Sequence, residues 1–533
     1  MSSQGLPYRP SFQSALVPMP PTTSMKADKT SWHYFPPEVR LLILQVLMKD
    51  GCSLAGLATV SREWQRIIER HNFARITLTP SRLADFGSII HRNRALVGYL
   101  WLCLELQEYG CDECASGETE AWCFKETENI LIVTAFQDLF STLTTWEPRG
   151  NLLLDISVYS PSDSEHFFKY LTFGPDLPSH ECGRDRSTEL SILAKVDDRQ
   201  HGWNAGLQCV APDRTAFPKV FGEIMGEGPF DDEESENQCW QSLPLIPVVT
   251  GVLLRQQNRR RWKPVALSHI FARLPRLQEI HYEPWREWDH PQRFTDGDYQ
   301  TLLNSLASGQ LRKLVLFEDF NEQYPDCFRK YLFLQISSTE SIRTPSFNLS
   351  RTVANTSLKL EHLSASFMVD AEYFFYAREP SWEWPNLTSL ALTSKLLAPK
   401  ENPENIDNML QEAAAAAMKM PNLETMEIWN GRKGLAMLFR YQQPMESWQP
   451  SVITLRGTWE FAMQASTIRA WQSVAIKHHG CGYVIVKEFL DFGVIQSHGD
   501  AIHHLKLSST VIRPVSLRQI RMEHRIRVGE VDW

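Results

Sequence analysis

The chain has 533 residues, of which 43% are hydrophobic and 22% are charged. This composition is typical of globular proteins and excludes wholesale disorder, a collagen-like repeat or a long coiled coil. Lys and Arg number 54 against 63 Asp and Glu, and the net charge of −9 disfavours general nucleic-acid binding. At roughly 150 residues per domain, the length predicts about three to four folding units.

The N-terminal segment is rich in proline and has no basic start followed by an apolar core, so we expect a flexible tail at residues 1–30 and no secretion. The longest apolar runs, such as residues 41–48, are too short to cross a bilayer. Ten cysteines are too few for a disulfide scaffold of this length. The sequence therefore predicts an intracellular protein of the cytoplasm or nucleus, without a membrane span.

Residues 31–75 have a helical pattern. A first helix is expected to begin near Pro36 and Pro37, where proline is tolerated, with Glu38 complementing the helix dipole. Two further short helices are predicted at 54–60 and 61–70. Three short helices enclose little interior, so several apolar side chains should stay exposed unless a partner covers them. The alternative is that these helices pack onto the rest of the chain.

The order Phe-Pro-Pro-Glu at 35–38, an aliphatic helix, Leu-x-x-Leu at 54–57 and Val-Ser-Arg-x-Trp at 60–64 resembles the F-box. F-box proteins use a three-helix module to bind the Skp-type adaptor of a cullin-RING ubiquitin ligase. Phe35 and Ser61 replace the usual Leu and Cys of the motif. By this resemblance the adaptor-binding residues would be Phe35, Pro36, Pro37, Val39, Leu42, Ile43, Leu47, Leu57, Val60 and Trp64.

Segments outside the F-box-like module extend the resemblance. They are similar to a group of filamentous-fungal F-box proteins whose large C-terminal part is a domain of unknown function. The likeness implies no target and no reaction. The segments are residues 160–166, 282–289, 426–431 and 498–504.

The middle of the chain predicts an α/β region at residues 76–221, with a strand at 152–158. Residues 222–238 contain an acidic run and few apolar residues, which predicts a mobile acidic loop and a domain boundary. A basic cluster follows, which we interpret as a solvated helix face balanced by this loop, with a nuclear address or a phosphate contact as the alternatives. The cluster consists of Arg255, Arg259, Arg260 and Arg261.

Residues 239–533 contain a degenerate helix–strand repeat. Predicted helices at 267–274, 299–306, 370–376 and 404–420 precede four of its five strands. This alternation predicts parallel strands with helices on an outer layer, and we interpret it as an irregular leucine-rich-repeat-like α/β array. A non-repeat α/β domain is the alternative. The five Leu-x-x-Leu-x-Leu-like segments begin at Leu277, Leu311, Leu360, Leu387 and Leu423.

Outward-facing positions of these strands are candidate target contacts, because the concave face of a repeat array suits protein recognition. Four such positions follow from the alternation of side chains along the strands. They are Glu279, Lys313, Ser389 and Glu427.

Cys111 and Cys114 have the spacing of half a zinc site, and Cys103 and Cys123 lie near enough in sequence to complete four thiolates. A structural zinc site normally repeats the tight pair, which Cys103 and Cys123 do not. We therefore expect ordinary reduced thiols, with no metal and no cofactor.

Two further groups of titratable side chains invite a catalytic interpretation, which we set aside. His498, Asp500 and the adjacent His503 and His504 suit a structural role better, since adjacent residues on a strand point to opposite faces. The second group consists of Glu283, Glu287 and Asp289, where Trp285 and Trp288 indicate packing.

The sequence as a whole predicts an α/β protein with an N-terminal three-helix F-box-like module followed by an irregular leucine-rich-repeat-like array. Its predicted function is the non-catalytic substrate receptor of a Skp-cullin-F-box ubiquitin ligase, which recruits an unknown protein target. One alternative is an interaction scaffold that acts without a cullin. A metal-dependent enzyme is another.

Overall fold

The computed structural model describes residues 32–49, 54–115, 126–177, 196–226, 228–287, 292–307, 309–324, 341–444 and 449–527. The expected N-terminal tail at residues 1–30 lies outside these ranges. The chain divides into two compact units, Met1–His71 and Asn72–Trp533. None of the helices in the described ranges combines the length and the apolar character that crossing a bilayer requires.

The described part of the N-terminal unit is helical, and its helices lie where the sequence predicts them. A single 3₁₀ turn, Trp32–Tyr34, precedes the first α-helix. Proline in its first turn has no backbone N–H to leave unpaired, which explains why the helix begins at Pro37. The helices are α1 (Pro37–Lys49), α2 (Leu54–Leu57) and α3 (Arg62–Ala74), the last of which runs past the boundary between the units.

The second unit is built on strands. They are between two and nine residues long, and some, such as Tyr483–Phe489, are rich in β-branched and aromatic residues, as strands often are. They are β1 (Arg75–Leu78), β2 (Tyr99–Glu105), β3 (Leu152–Tyr159), β4 (Trp203–Asn204), β5 (Leu207–Gln208), β6 (Glu223–Ile224), β7 (Val249–Leu254), β8 (Arg261–Trp262), β9 (Glu279–Tyr282), β10 (Lys313–Phe317), β11 (His362–Asp370), β12 (Ser389–Thr393), β13 (Thr425–Arg432), β14 (Leu435–Gln442), β15 (Ser451–Gly457) and β16 (Tyr483–Phe489).

Helices connect many of these strands. They are α4 (Pro80–Ile90), α5 (Glu126–Leu143), α6 (Phe217–Phe221), α7 (Glu233–Ser242), α8 (Pro264–Ala272), α9 (Gln292–Leu306), α10 (Phe347–Thr356), α11 (Ala371–Tyr376), α12 (Pro403–Ala417), α13 (Ala465–His479), α14 (His498–Leu505) and α15 (Pro514–Arg527).

Twelve of the strands form one sheet in the order β1-β2-β3-β7-β9-β10-β11-β12-β13-β14-β15-β16. All neighbours are parallel except β13 with β14 and β14 with β15, which are antiparallel. The order follows the chain, so each new strand is added at the same edge. The middle region and the repeat region, predicted as separate domains, therefore contribute strands to a single sheet.

The five strands of the predicted repeat, β9 to β13, are adjacent and parallel, which confirms this part of the prediction. Lys313 pairs with both Glu279 and His362, His362 pairs with Ser389, and Ser389 pairs with Thr425. The helix that the sequence left unassigned is α10 (Phe347–Thr356), before β11. The chain is a mixed α/β protein with a large, mostly parallel sheet.

The two faces of the sheet are covered differently. Leu314 of β10 shares one large hydrophobic core with Leu303 of α9 and Val353 of α10. Phe317 of β10 lies on the opposite face, in a second core with Ile502 of α14 and Ile520 of α15. The C-terminal helices thus cover part of the face that a simple repeat array would leave open.

The basic cluster and the acidic loop differ from the prediction. The segment expected to be a loop contains β6 and the start of α7, whose first turn is capped by the Asp232 side chain. The arginines are buried after β7 rather than solvated on a helix, because acidic side chains distant in sequence pair with them. The pairs are Arg255 with Asp155, Arg259 with Glu523, Arg260 with Asp163 and Arg261 with Glu223.

Candidate functional site

Helix α1 presents apolar side chains to solvent along most of its length. Leu42 is 59% exposed and Phe35, just before the helix, is 40% exposed. Burying an aliphatic or aromatic side chain of this size is worth about 1.5–3 kcal/mol, so leaving several of them in water is unfavourable. A cluster of exposed apolar residues on one short helix therefore marks a surface that a partner can cover.

The predicted adaptor-binding residues divide by exposure. The exposed members are Phe35, Pro36, Pro37, Val39, Leu42 and Val60. The half-buried members are Ile43, Leu47, Leu57 and Trp64. Since none of the ten is fully buried, the surface proposed from the resemblance is accessible within the described residues.

Sequence reasoning left out other exposed apolar residues of this surface. Tyr34, Leu41 and Val46 are also exposed, whereas Leu44 is fully buried. The sequence of α1 does indicate additional exposed apolar residues, because Leu41 and Leu44 make its apolar stripe wider than one core face requires. The structure assigns Leu44 to the interior and Leu41 to the surface. We refer below to Tyr34, Phe35, Val39, Leu41, Leu42 and Val46 as the α1 surface.

Glu63 of α3 holds the start of the module together. Its Oε2 accepts hydrogen bonds from the Arg40 guanidinium at 2.8 Å and from the Trp32 indole N–H at 3.1 Å. The Trp32 and Trp64 rings pack with their centroids 4.9 Å apart. Trp64 therefore supports the module from inside, while the α1 surface stays open.

Three of the four predicted target contacts lie together near the amino-terminal ends of the repeat strands. Lys313 donates to Glu279 Oε1 at 2.6 Å, and the Ser389 hydroxyl lies 2.7 Å from that of Ser509. Lys313 and Ser389 line a cavity of about 310 Å³, which we call the strand-start groove. Its other lining residues include His362, Thr425, Ser508 and Thr510.

Glu427, the fourth predicted target contact, is buried and not available to a target. Its carboxylate accepts hydrogen bonds from Arg440 Nε at 2.6 Å and from the backbone N–H groups of Ser508 and Ser509 at 2.8 and 3.0 Å. The segment after α14 folds over this strand, which the alternation of side chains along β13 could not reveal. Glu427 therefore has a structural role as a buried hydrogen-bond acceptor.

The carboxylates near β9 are structural as well. Glu283 is buried and accepts hydrogen bonds from the backbone N–H groups of Gln256 and Arg513 and from the Ser516 hydroxyl. Burial raises the pKa of Glu283 to about 6, although these hydrogen bonds oppose the shift. Glu287 forms an ion pair with Arg261, and Asp289 lies outside the described residues.

The histidine group lies at α14, so the two adjacent histidines occupy a helix rather than a strand. His498 is buried, its Nε2 donates a hydrogen bond to Asp319 Oδ1 at 2.9 Å, and its ring stacks on Phe320. Asp500 accepts from Arg521 at 2.9 Å. His503 and His504 lie in the last turn of the helix, 5.1 Å apart by ring centroids. His498 and Asp500 thus have separate structural partners, whereas His503 and His504 pack against each other.

The four cysteines that the sequence analysis considered as zinc ligands do not all lie together in the structure. Cys103 is buried in β2, where burial raises the pKa of its thiol to about 12, and Cys123 lies outside the described residues. Cys111 and Cys114, in contrast, lie beside His166 and His201, two residues that sequence reasoning did not consider. These histidines lie too far along the chain from the two cysteines to form a recognisable sequence motif with them.

Comparison with known proteins concerns the C-terminal half. Residues 306–513 match a family described as a family of unknown function (DUF6546). A search of curated proteins finds no match to the chain. The matched residues include β10 to β16 and all residues that line the strand-start groove. The chain therefore carries a C-terminal domain of this family of unknown function at residues 306–513.

Proposed function

We propose that the protein is the substrate-recognition subunit of a Skp-cullin-F-box ubiquitin ligase and has no catalytic activity of its own. The observation that carries the proposal is the α1 surface, an accessible apolar face on a module whose sequence resembles the F-box. A Skp-type adaptor would cover this face and connect the chain to a cullin. The protein would act in the cytoplasm or nucleus.

The energetics of the α1 surface favour a permanent partner. Interface cores are depleted in charge and enriched in large apolar side chains, which is the composition of Tyr34, Phe35, Leu41 and Leu42. The module that carries them is fixed by Glu63 and the Trp32–Trp64 contact, so the surface is presented by a defined scaffold. A partner that covers these side chains gains apolar burial without having to order the helix first.

The second unit would hold the target. Its adjacent parallel strands support the proposal of an irregular leucine-rich-repeat-like array, and the strand-start groove lies on the sheet face opposite α9 and α10. The groove is lined by hydroxyl groups together with Lys313 and His362, which suits hydrogen bonding to a polar peptide segment. Glu279, bonded to Lys313, lies at its border.

The mechanism would be proximity. Binding a target lysine and a charged conjugating enzyme in one assembly converts a dilute encounter into an effectively intramolecular one. The chain then needs two binding surfaces and no reacting groups. The α1 surface and the strand-start groove provide such a pair, each within its own unit.

Capture of the adaptor tests the proposal. The full chain is co-expressed with a Skp-type adaptor and a cullin, and Leu42→Asp is compared with the unchanged protein. We expect adaptor recovery to fall about tenfold or more, because a carboxylate at the centre of an apolar interface would be buried without a partner. Far-UV circular dichroism should not change, since Leu42 is exposed.

A matched control uses the same chemical change elsewhere. Ile89 of α4 is 66% exposed, and Ile89→Asp should leave adaptor recovery unchanged. Equal recovery with Leu42→Asp and the unchanged chain would contradict the α1 surface as the binding site. Recovery of the adaptor without the cullin would favour a scaffold that acts outside the ligase.

A further inference from the structure

Three loops converge beside the carboxyl ends of β2 and β3. These strands are parallel neighbours, with Glu105 paired to Tyr159 at their ends, so the segments that follow them emerge side by side. The segment after β2 carries Cys111 and Cys114, and the segment after β3 carries His166. A 3₁₀ turn, Arg199–His201, brings His201 to the same place.

The side chains of these four residues form two adjacent Cys–His pairs. Cys111 Sγ lies 3.7 Å from His166 Nδ1, and Cys114 Sγ lies 3.5 Å from His201 Nε2. One ligand atom each from Cys111, His166 and His201 lies within 4.8 Å of the other two. Tetrahedral zinc with Zn–S near 2.3 Å and Zn–N near 2.0 Å places its ligand atoms about 3.3–3.8 Å apart, so these three residues need only small movements. Cys114 lies beside His201 but outside this group of three, so its side chain has to turn toward the other ligands.

The far nitrogen of each imidazole has a partner that determines its tautomer. His166 Nε2 lies 3.2 Å from the Tyr109 carbonyl oxygen, and His201 Nδ1 lies 2.7 Å from Asp198 Oδ2. Carbonyl and carboxylate oxygens accept hydrogen bonds, so these nitrogens carry the protons. In the neutral rings, His166 Nδ1 and His201 Nε2 are then left with lone pairs directed at the two sulfurs.

This arrangement matches the outer shell of protein metal sites, where a histidine ligand donates its other N–H to a carboxylate or a backbone carbonyl. Asp198 Oδ2 lies 2.9 Å from Lys169 Nζ as well as 2.7 Å from His201 Nδ1, so the carboxylate is fixed in place and orients the His201 ring.

Burial makes the cluster difficult to explain by hydrogen bonds alone. Cys114, His166 and His201 are all buried, while Cys111 is exposed at the rim. A thiol is a weak donor, so two thiols satisfy two buried imidazole lone pairs poorly. A cation shared by the four side chains would satisfy both rings at once, and the exposed side at Cys111 leaves a path for its entry.

We propose that Cys111, Cys114, His166 and His201 bind one zinc ion in a structural site. Two thiolates and two imidazoles are the donor set that zinc prefers, and four protein ligands leave no open position for a substrate. Binding would release the two thiol protons to solvent, so affinity should fall at acidic pH. The ion would tie the segment around His201 to the loops after β2 and β3, independently of the proposed adaptor binding.

Metal content of the purified protein tests the site. The full chain, expressed in zinc-supplemented medium and purified without chelators or a histidine tag, is analysed by inductively coupled plasma mass spectrometry. We expect about one zinc per chain. Replacement by cobalt should produce the d–d bands of a tetrahedral site and thiolate-to-cobalt charge transfer. Less than about one fifth of an equivalent, with no cobalt spectrum, would overturn the proposal.

Single variants locate the ligands. Cys111→Ser and His201→Gln should each reduce bound zinc to below about one fifth of an equivalent. Cys209→Ser is the matched control, because Cys209 is a half-buried cysteine outside the cluster and should leave the zinc content unchanged. Cys111 is exposed, so Cys111→Ser remains decisive even if His201→Gln does not fold. Full retention of zinc by a folded Cys111→Ser, His201→Gln double variant would overturn the assignment.

Discussion

The two units of the chain distribute apolar and charged side chains in opposite ways. The N-terminal unit leaves large apolar residues of α1 in solvent, whereas the second unit buries many charged residues. Each arrangement is unfavourable unless a partner compensates it. In the second unit the buried charges have their partners within the same unit. In the first unit no partner for the exposed apolar residues is seen among the described residues, and the proposed adaptor would cover them.

The buried charges of the second unit form a series of ion pairs. Each pair joins residues that are far apart in sequence or lie on different strands, and one of them, Arg259 with Glu523, involves the C-terminal helix α15. Such pairs stabilise little in total, but removing one member leaves a buried charge without compensation. The main pairs are Asp155 with Arg255, Asp163 with Arg260, Glu523 with Arg259, Glu318 with Arg343 and Glu427 with Arg440.

The largest expected effect comes from breaking one of these pairs. Asp155→Asn leaves the Arg255 guanidinium buried and charged, because arginine does not lose its proton in proteins. We expect the free energy of unfolding to fall by about 3–5 kcal/mol, measured by urea denaturation with tryptophan fluorescence. Glu379→Gln, at the exposed Arg351–Glu379 pair, is the matched control and should change stability by less than about 1 kcal/mol. Similar effects of the two substitutions would contradict the expected difference between a buried and an exposed ion pair.

A comparison within α1 separates its interior from its surface. Leu44→Ala removes a fully buried side chain and should destabilise the N-terminal unit by about 2–5 kcal/mol. Leu42→Ala removes an exposed one and should change stability by less than about 0.5 kcal/mol. Hydrogen exchange of α1 peptides measures both. Faster exchange in Leu42→Ala than in Leu44→Ala would reverse the assignment of the two leucines.

A smaller effect depends on pH. The folded state raises the pKa of Glu283 from its ordinary 4.5 to about 6, mainly through burial. Between these values the folded protein keeps a proton that the unfolded chain has released, so stability falls as pH rises through this window. Relative to Glu283→Gln, the unchanged chain should lose about 2 kcal/mol between pH 4.5 and pH 7. Urea denaturation at both pH values measures the difference.

Glu279, four residues earlier, provides the opposite control. The hydrogen bond from His281, with a further one from Lys313, lowers the pKa of Glu279 to about 2 although burial opposes the shift. Its contribution to stability is therefore present above pH 4.5 and is lost as pH falls toward 2. Glu279→Gln should flatten the acid side of the stability profile, below pH 4.5. An acid side as steep as that of the unchanged chain would contradict this role of Glu279.

Sequence patterns predicted the elements of this protein well where local spacing decides them. The five repeat strands and their helices follow from apolar residues that recur with the period of a strand or a helix. The first N-terminal helix follows from Pro37, Glu38 and the aliphatic run behind them. The predicted exposure of Phe35 and Leu42 follows from the small size of that module.

Patterns failed where a residue's partner lies far along the chain. The arginines after β7 looked solvated because Asp155, Asp163 and Glu523 are not their neighbours in sequence. Glu427 looked outward-facing because nothing in β13 indicates that the segment at 506–510 covers it. His166 and His201 lie too far from Cys111 and Cys114 for any spacing rule to connect them.

The amino-acid sequence by itself determined the strands of the repeat region and most of their helices, the parallel pairing of those strands and the apolar excess of α1, because these depend on interactions within a few turns or strands. The tertiary structure alone decided which charges are buried, which face of the sheet stays open and which four side chains meet beside β2 and β3. Those properties depend on contacts between segments up to several hundred residues apart, and only the folded chain brings such segments within hydrogen-bonding distance.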